Sequence, residues 1–130
     1  MKNKYLLDAS ALLALLQDEP GAKKVAKNFP SSAISTVNLA EVASVLNKTG
    51  MPEIEIDDLF RDMDLTTLAY EYKTAIATGG IRTMTAKSGL SLGDRACLIT
   101  AKQNKRIALT ADSVWLDYQE SINVKVEMIR

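Results

Sequence analysis

The sequence predicts a single α/β domain over residues 1–130, with a parallel β-sheet of about four to five strands and helices on both faces. The chain has 130 residues, a length that favours one compact domain. Hydrophobic residues make up 47% and charged residues 25%, as in globular proteins. Short apolar runs alternate with stretches of helical spacing, which is the pattern of a parallel sheet covered by helices.

In the first half of the chain, two apolar runs predict strands and four segments predict helices. The expected order is a strand at 4–7, helices at 9–17 and 22–28, a strand at 31–36, and helices at 37–48 and 53–63. Ser10 is expected to cap the first helix, and Gly50 to end the third. Pro52 stands where a helix can begin, since its missing N–H is not needed there.

In the second half, three further strands are expected, at 65–68, 106–110 and 123–129. Helical patterns cover 70–87, 91–104 and 113–120, and the pair Gly79-Gly80 predicts a break in the first of them. Functional residues of parallel sheets gather beyond the carboxyl ends of the strands. Acidic residues that follow strands are therefore candidates for a functional site.

The residue types that are missing restrict the chemistry. The chain has no histidine and one cysteine, Cys97. This excludes Ser-His-Asp triads, histidine as general base, and zinc sites built from histidine or several thiolates. Catalysis would have to rest on carboxylates, lysine, tyrosine or serine, and enzymes limited to carboxylates usually use a hard metal ion.

Charge and cysteine content predict the surroundings and the partners. Lys plus Arg and Asp plus Glu both number 16, so nucleic acid would have to bind local basic patches. One candidate patch consists of Lys23, Lys24 and Lys27, and the other of Lys102, Lys105 and Arg106. The simpler interpretation of each patch is a solvated helix face. Trp115 and Tyr118 suit base stacking, although core packing is expected of Trp115. We expect a cytoplasmic protein without a membrane segment, on three observations. The one thiol is expected to be buried, Asp8 interrupts the N-terminal apolar run, and no run reaches the roughly 20 apolar residues that a membrane span needs.

Two acidic residues stand in the first half of the chain where a function is conceivable. Asp8 follows the first strand in LLDAS and suits the N-cap of the next helix, although Ser10 offers an alternative cap. Glu41 lies three positions after Asn38 in NLAEVASVL, so the two share one line beside the apolar stripe of their helix. A solvated helix face is the simpler interpretation of Glu41, but its apolar neighbours weaken it.

Two more acidic residues stand in the second half. Asp94 lies in the first turn of its helix after the possible cap Ser91, where the helix dipole alone stabilises it by ~0.3–1 kcal/mol. Asp112 follows the strand that ends in Thr110, and it also suits the cap of a short helix.

All four acids can converge at one edge of a doubly wound sheet. Carboxylates brought together repel one another, by about 1 kcal/mol per pair at 4 Å even in water. Folding gains no stability from such a cluster unless a divalent cation reverses the sign of the interaction. Mg²⁺ or Mn²⁺ prefers such an all-oxygen site.

The blocks LLDASALLALL, NLAEV, GLSLGDRACLITA and LTADSVW, in this order, resemble the PIN-domain ribonucleases, and in particular the VapC-type toxins of toxin–antitoxin modules. The resemblance extends from about Tyr5 to Ile129. It implies a PIN-like fold, Mg²⁺-dependent cleavage of RNA phosphodiesters, homodimers and a cognate antitoxin protein. It also implies an acidic quartet at Asp8, Glu41, Asp94 and Asp112, with Ser10, Asn38 and Thr110 as supporting polar residues.

The resulting hypothesis is that Asp8 and Asp94 bind the principal metal ion, while Glu41 and Asp112 bind a second ion or orient water. Ser10 and Thr110 would hydrogen-bond the ligands. Three alternatives remain. A phosphatase of the haloacid dehalogenase type needs a second Asp where Ser10 stands, and a receiver domain needs adjacent acids after the first strand. A non-catalytic domain would use its acids only to bind a basic partner.

Overall fold

The computed structural model describes residues 4–130, and within them it has one parallel sheet of five strands. The strands are β1 Tyr5–Leu7, β2 Ser32–Ser35, β3 Thr66–Leu68, β4 Ile107–Thr110 and β5 Val126–Met128. The helices are α1 Ala9–Leu16, α2 Ala22–Asn28, α3 Thr36–Lys48, α4 Glu53–Asp62, α5 Tyr72–Gly80, α6 Arg82–Thr85, α7 Leu92–Gln103 and α8 Gln119–Ile122. Short 3-10 segments cover Phe29–Ser31, Ala86–Ser88 and Ser113–Tyr118. The predicted fold class is confirmed; the predicted domain, 1–130, begins with three residues that lie outside the described residues.

The strand order β3-β2-β1-β4-β5 places β1 at the centre of the sheet. From β1 the chain adds β2 and β3 on one side, and it later adds β4 and β5 on the other. The carboxyl ends of β1 and β4 therefore form the topological switch point, where open α/β sheets bind their ligands. Leu7, the last residue of β1, pairs with Ile34 of β2 and with Leu109 of β4.

Side chains of successive strand residues point to opposite faces of the sheet and form two cores. One core contains Leu6, Ala33 and Ala108 of the strands together with residues of α7 and the segment 115–124. The other contains Leu7, Ile34 and Leu109 together with residues of α1 to α4. Trp115 is fully buried in the first core, so the expected packing role is confirmed. Every helix within residues 4–130 is too short or too polar to cross a bilayer.

Three local predictions need correction. The cap of α1 is Asp8 and not Ser10, because the Asp8 carboxylate accepts the N–H of Ala11. The stretch 70–87 is broken, as predicted, but the break lies at Ile81, one residue after the glycine pair that ends α5. The stretch 113–120 is mostly a 3-10 segment, and α8 begins only at Gln119.

Candidate active site

Asp8 occupies the switch point directly after β1. Its N–H extends the pairing with β4 by donating to the Leu109 carbonyl over 3.1 Å. Its Oδ1 accepts the Ala11 N–H at 2.8 Å and the Ser10 hydroxyl at 2.7 Å, while Oδ2 accepts the Thr110 hydroxyl at 2.6 Å. Only 6% of the residue is exposed. The carboxylate is thus buried and fixed in orientation by donors from α1 and β4.

The hydroxyls of Ser10 and Thr110 also bind the turn that follows β4. Ser10 Oγ accepts the N–H of Ala111 at 3.0 Å, and Thr110 Oγ1 accepts the N–H of Asp112 at 3.1 Å. Each hydroxyl therefore donates to Asp8 and accepts from the backbone beyond β4. This double use fixes the rotation of both hydroxyls and connects the two strand ends of the switch point.

The pKa of Asp8 is raised from 3.8 to about 6. Burial is the largest cause, because it disfavours the charged form. Hydrogen bonds from Thr110, Ser10 and Ala11 oppose this effect, whereas the negative charge of Asp94 adds to it. An uncompensated negative charge is therefore unfavourable here, and a bound cation would remove that penalty.

Asp94 lies in the first turn of α7 and closes a capping box with Ser91. The Ser91 hydroxyl accepts the Asp94 N–H at 3.1 Å, and Asp94 Oδ2 accepts the Ser91 N–H at 3.0 Å. The predicted cap at Ser91 is confirmed. Asp94 thus takes part in capping α7. The capping hydrogen bonds hold this half-buried carboxylate at the end of α7 nearest to Asp8.

Glu41 connects α3 to α7 through Asn38. The Asn38 amide Nδ2 donates to Glu41 Oε1 at 2.7 Å and to the Gly93 carbonyl at 3.1 Å. A Cβ at position 93 would overlap the Glu41 carboxylate, so the place of this carboxylate depends on a glycine. Asn38 is 1% exposed, and its Oδ1 is buried without a hydrogen-bond partner among the described residues. No local pattern in the sequence indicates that Glu41 fills the space beside Gly93.

Cys97 lies one turn after Asp94 and is fully buried. Its thiol pKa is raised well above 9.0, first by burial and then by the charges of Asp8, Asp94 and Glu41. Three of the four acids thus act on the same thiol, which indicates that they surround the same end of α7. The sequence identified Cys97 as a buried thiol without relating it to the acids.

Asp112 behaves differently from the other three acids. Its side chain is exposed, and Oδ1 accepts the Val114 N–H at 3.0 Å to cap the 3-10 segment. Its backbone lies close to Asp8, because both residues bind the Thr110 hydroxyl. The capping interpretation considered for Asp112 therefore describes its carboxylate in this structure.

Among residues 4–130, no three acidic or cysteine side chains are arranged to hold a metal ion. The carboxylates of Asp94 and Asp112 bind their own helix ends, and Glu41 binds Asn38. The available donors still suit a hard divalent cation: they are oxygens, and they include the buried, unpartnered Oδ1 of Asn38. A compact metal site would require side-chain rotations that break individual hydrogen bonds, each worth about 1 kcal/mol net.

Comparisons with known proteins agree with this topology. The family model described as PIN domain matches residues 5–120. A chain of a toxin–antitoxin complex from Klebsiella pneumoniae is 20% identical with a TM-score of 0.69, covering 85% of this chain and 88% of that chain. A chain of the DNA-bound VapBC complex from Salmonella typhimurium is 19% identical with a TM-score of 0.70 and full coverage of both. For VapBC-5 from Mycobacterium tuberculosis the values are 20% and 0.57, with 98% of each chain covered. No curated protein sequence matches the chain.

Proposed function

Since this chain belongs to the PIN domain family, we propose that it is a metal-dependent endoribonuclease and the toxin of a toxin–antitoxin pair. The observation that carries the proposal is the state of Asp8. A buried carboxylate with three donors lies at the switch point, and its pKa is raised first by burial and to a smaller degree by the charge of Asp94. A group in this state favours binding of a cation.

The cation that these oxygens suit best is Mg²⁺, with Mn²⁺ as a substitute. Asp8 and Asp94 would hold the principal ion, and Glu41 and Asp112 would complete the site. When bound, the ion supplies Lewis acidity at the phosphodiester and lowers the pKa of water for in-line attack.

The polar residues beside the acids have separate tasks in this proposal. Ser10 and Thr110 keep the Asp8 carboxylate in one orientation through bonds of 2.7 and 2.6 Å. Asn38 holds one oxygen of Glu41, so the second oxygen can orient the attacking water and accept its proton. The chain has no histidine, so a carboxylate is the side chain available for this proton transfer near neutral pH.

The proposed partners are RNA as substrate, a cognate antitoxin and a second copy of the chain. The antitoxin proposal is supported by the similar solved structures, which are toxin–antitoxin complexes. It is also supported by a groove between α3 and α4, with apolar Leu39, Ile54 and Phe60 and acidic Glu53 and Asp57. Ile54 is 72% exposed there. An amphipathic antitoxin segment with basic residues would cover the apolar side chains and pair with the acids.

The two enzymatic alternatives lose support in the structure. The position where a haloacid dehalogenase phosphatase needs a second Asp holds Ser10, whose hydroxyl is occupied by Asp8 and Ala111. A receiver domain needs an Asp after β3, and the acid that follows this strand is Glu71, at the start of α5. A non-catalytic partner-binding domain remains as the second candidate, because three of the acids act as caps.

The decisive experiment is a cleavage assay with purified, partner-free protein and 5′-labelled single-stranded RNA. We expect internal cleavage with millimolar Mg²⁺ or Mn²⁺ and none with EDTA. Parallel reactions with single-stranded DNA and p-nitrophenyl phosphate separate RNA hydrolysis from DNA cleavage and general phosphatase activity. Intact RNA under every metal condition would favour the non-catalytic partner-binding domain.

A further inference from the structure

A group of cations lies at the edge of the sheet opposite to Asp8. Three of them directly precede neighbouring parallel strands: Lys4 precedes β1, Arg106 precedes β4 and Lys125 precedes β5. Together with the end of α7 they line a groove of about 910 Å³. The charged residues of this basic groove are Lys4, Lys102, Lys105, Arg106, Lys125 and a single acid, Glu120.

The positive charge of the basic groove is not neutralised within residues 4–130. The ion pairs of the described chain are Lys24–Glu127, Arg61–Asp57 and Arg130–Glu19, and none of them includes a cation of the groove. Five cations against one acid give this edge a positive potential, although the whole chain has no net charge. Such a concentration of like charge gains no stability for the fold, which indicates an anionic ligand.

One cation of the groove is held in place by a backbone carbonyl, and a second stands at a left-handed position after the end of α7. Arg106 is 9% exposed, and its Nη1 donates to the Tyr5 carbonyl at 3.1 Å. Lys105 has a left-handed φ of 54°, a conformation that costs about 1 kcal/mol in a residue with a Cβ. Glycine or asparagine is the usual residue after a helix end of this kind.

We infer that the basic groove binds the phosphate backbone of single-stranded RNA, at a site separate from the acidic switch point. The inference rests on the proposed function for the choice of RNA. Helix α7 connects the two regions, because Asp94 lies in its first turn and Lys102 in its last. At 1.5 Å per residue these positions are about 12 Å apart along the helix, a distance that a few nucleotides can span.

RNA fits the basic groove better than a protein partner does. The large apolar side chains exposed on the described chain include Ile54, Tyr72 and Ile76, and none of these exposed side chains lines the groove. The apolar residues that line the groove are Ala101, Ile107 and Val124, and they are buried or half-buried, so a protein partner would find no large, fully exposed apolar side chain to bind here. An RNA chain is repelled by the acids of the switch point and has to be held by cations elsewhere, which the groove supplies.

The test is RNA binding in EDTA, where metal-dependent cleavage does not occur. Fluorescence anisotropy with a labelled 20-nucleotide RNA compares the wild type with the triple variant Lys102→Gln, Lys105→Gln, Lys125→Gln over a range of salt concentrations. The matched control is Lys48→Gln, Lys73→Gln, Lys87→Gln, which removes three exposed charges outside the groove and outside the patch of Lys23, Lys24 and Lys27. We expect the groove variant to bind about tenfold or more weakly at 0.1 M salt. Its log–log salt slope should fall by about 2, since each phosphate contact contributes about 0.7.

Equal binding by the wild type and the groove variant, or an equal loss in the control, would overturn the inference. The same holds if polyglutamate of equal charge displaces the RNA and binds more tightly, because the groove would then suit an acidic protein segment. RNA bound in the basic groove should also protect the amines of Lys102, Lys105 and Lys125 from chemical acetylation. This second measurement uses the wild type and needs no substitution.

The nuclease proposal and the inference about the basic groove can be rejected independently of each other. If the groove variant loses RNA affinity while the wild type cleaves no RNA with Mg²⁺, the basic groove remains and the nuclease proposal falls. If the wild type cleaves RNA and the groove variant binds normally, the nuclease proposal remains and the inference about the groove falls.

Discussion

The hydroxyl of Thr110 donates to Asp8 Oδ2 over 2.6 Å, although 102 positions separate the two residues in the sequence. This bond joins the ends of β1 and β4 across the switch point. The same hydroxyl accepts the Asp112 N–H, so one oxygen orients a buried acid and the turn that follows β4.

Replacing Thr110 by valine removes the hydroxyl and keeps a side chain of similar shape in a fully buried position. The Asp112 N–H loses its acceptor and Asp8 loses a donor, so we expect a loss of about 1–3 kcal/mol in the free energy of unfolding. Mg²⁺ affinity should fall by about 10–100-fold, as for other residues that orient metal ligands. Urea unfolding and calorimetric titration measure the two effects. Thr67→Val, at an exposed position of β3, is the control. An unchanged Mg²⁺ affinity would contradict the role of Thr110.

Asp8→Asn separates the cost of the buried charge from the rest of the site. Since the pKa of Asp8 is raised from 3.8 to about 6, the native protein keeps a proton between these values that the unfolded chain has lost. Stability therefore falls as pH rises from about 4 to about 6, and the full penalty is present above that range. At roughly 1.4 kcal/mol per pKa unit, the penalty is about 3 kcal/mol.

The measurement is urea unfolding of wild type and Asp8→Asn in EDTA from pH 4 to pH 8. We expect the variant to be about as stable as the wild type at pH 4 and more stable above pH 6. Adding Mg²⁺ at pH 7.5 should stabilise the wild type but not the variant. If the difference in unfolding free energy between the variant and the wild type does not change with pH, the charge of the Asp8 carboxylate is not unfavourable in the native protein.

Gly93→Ala tests the place of Glu41. The new Cβ would occupy the space of the Glu41 carboxylate, while alanine favours a helix over glycine by up to about 1 kcal/mol. We therefore expect an equal or slightly higher melting temperature together with about tenfold slower RNA cleavage. Gly79→Ala, in α5 with open space where the new Cβ would lie, gives the same chemical change without the overlap. Full activity of Gly93→Ala would show that Glu41 is not needed where the structure has it.

Asp94→Asn keeps the cap of α7 and removes the charge. The amide oxygen can still accept the Ser91 N–H, so stability should change by less than about 1 kcal/mol. Under the proposed function, Mg²⁺-dependent cleavage should be abolished, and the increase in melting temperature that millimolar Mg²⁺ gives to the wild type should disappear. Asp62→Asn, at an exposed position of α4, controls for the loss of one charge. Cleavage by correctly folded Asp94→Asn would reject the assignment.

Much of the fold was predictable because each strand and helix has a local signal. The positions of Asp8 and Asp112 after strands follow from the patterns LLD and LTAD, and the cap at Ser91 follows from its place before α7. The strand order could not be predicted in this way, because it depends on which strands pair over long distances in the sequence. Only the order puts β1 in the centre and brings Thr110 to Asp8.

The details of the candidate site were less predictable for the same reason. Two neighbouring residues could cap α1, and the choice of Asp8 over Ser10 is decided by contacts with β4. The close approach of the Glu41 carboxylate to Gly93 depends on how α3 packs against α7, which no local pattern encodes. The four acidic residues could be named from the sequence as candidates for a functional site, whereas the orientations of their carboxylates could not.

The position of Cys97 allows its reactivity to report local opening of the structure. The single thiol is fully buried at the end of α7 that the acids surround, and its raised pKa leaves almost no reactive thiolate. Alkylation of the native protein therefore requires the packing of α7 against β1 to open first. The rate of modification measures how often this happens, and a ligand that joins the surrounding carboxylates will slow it without any label or substitution.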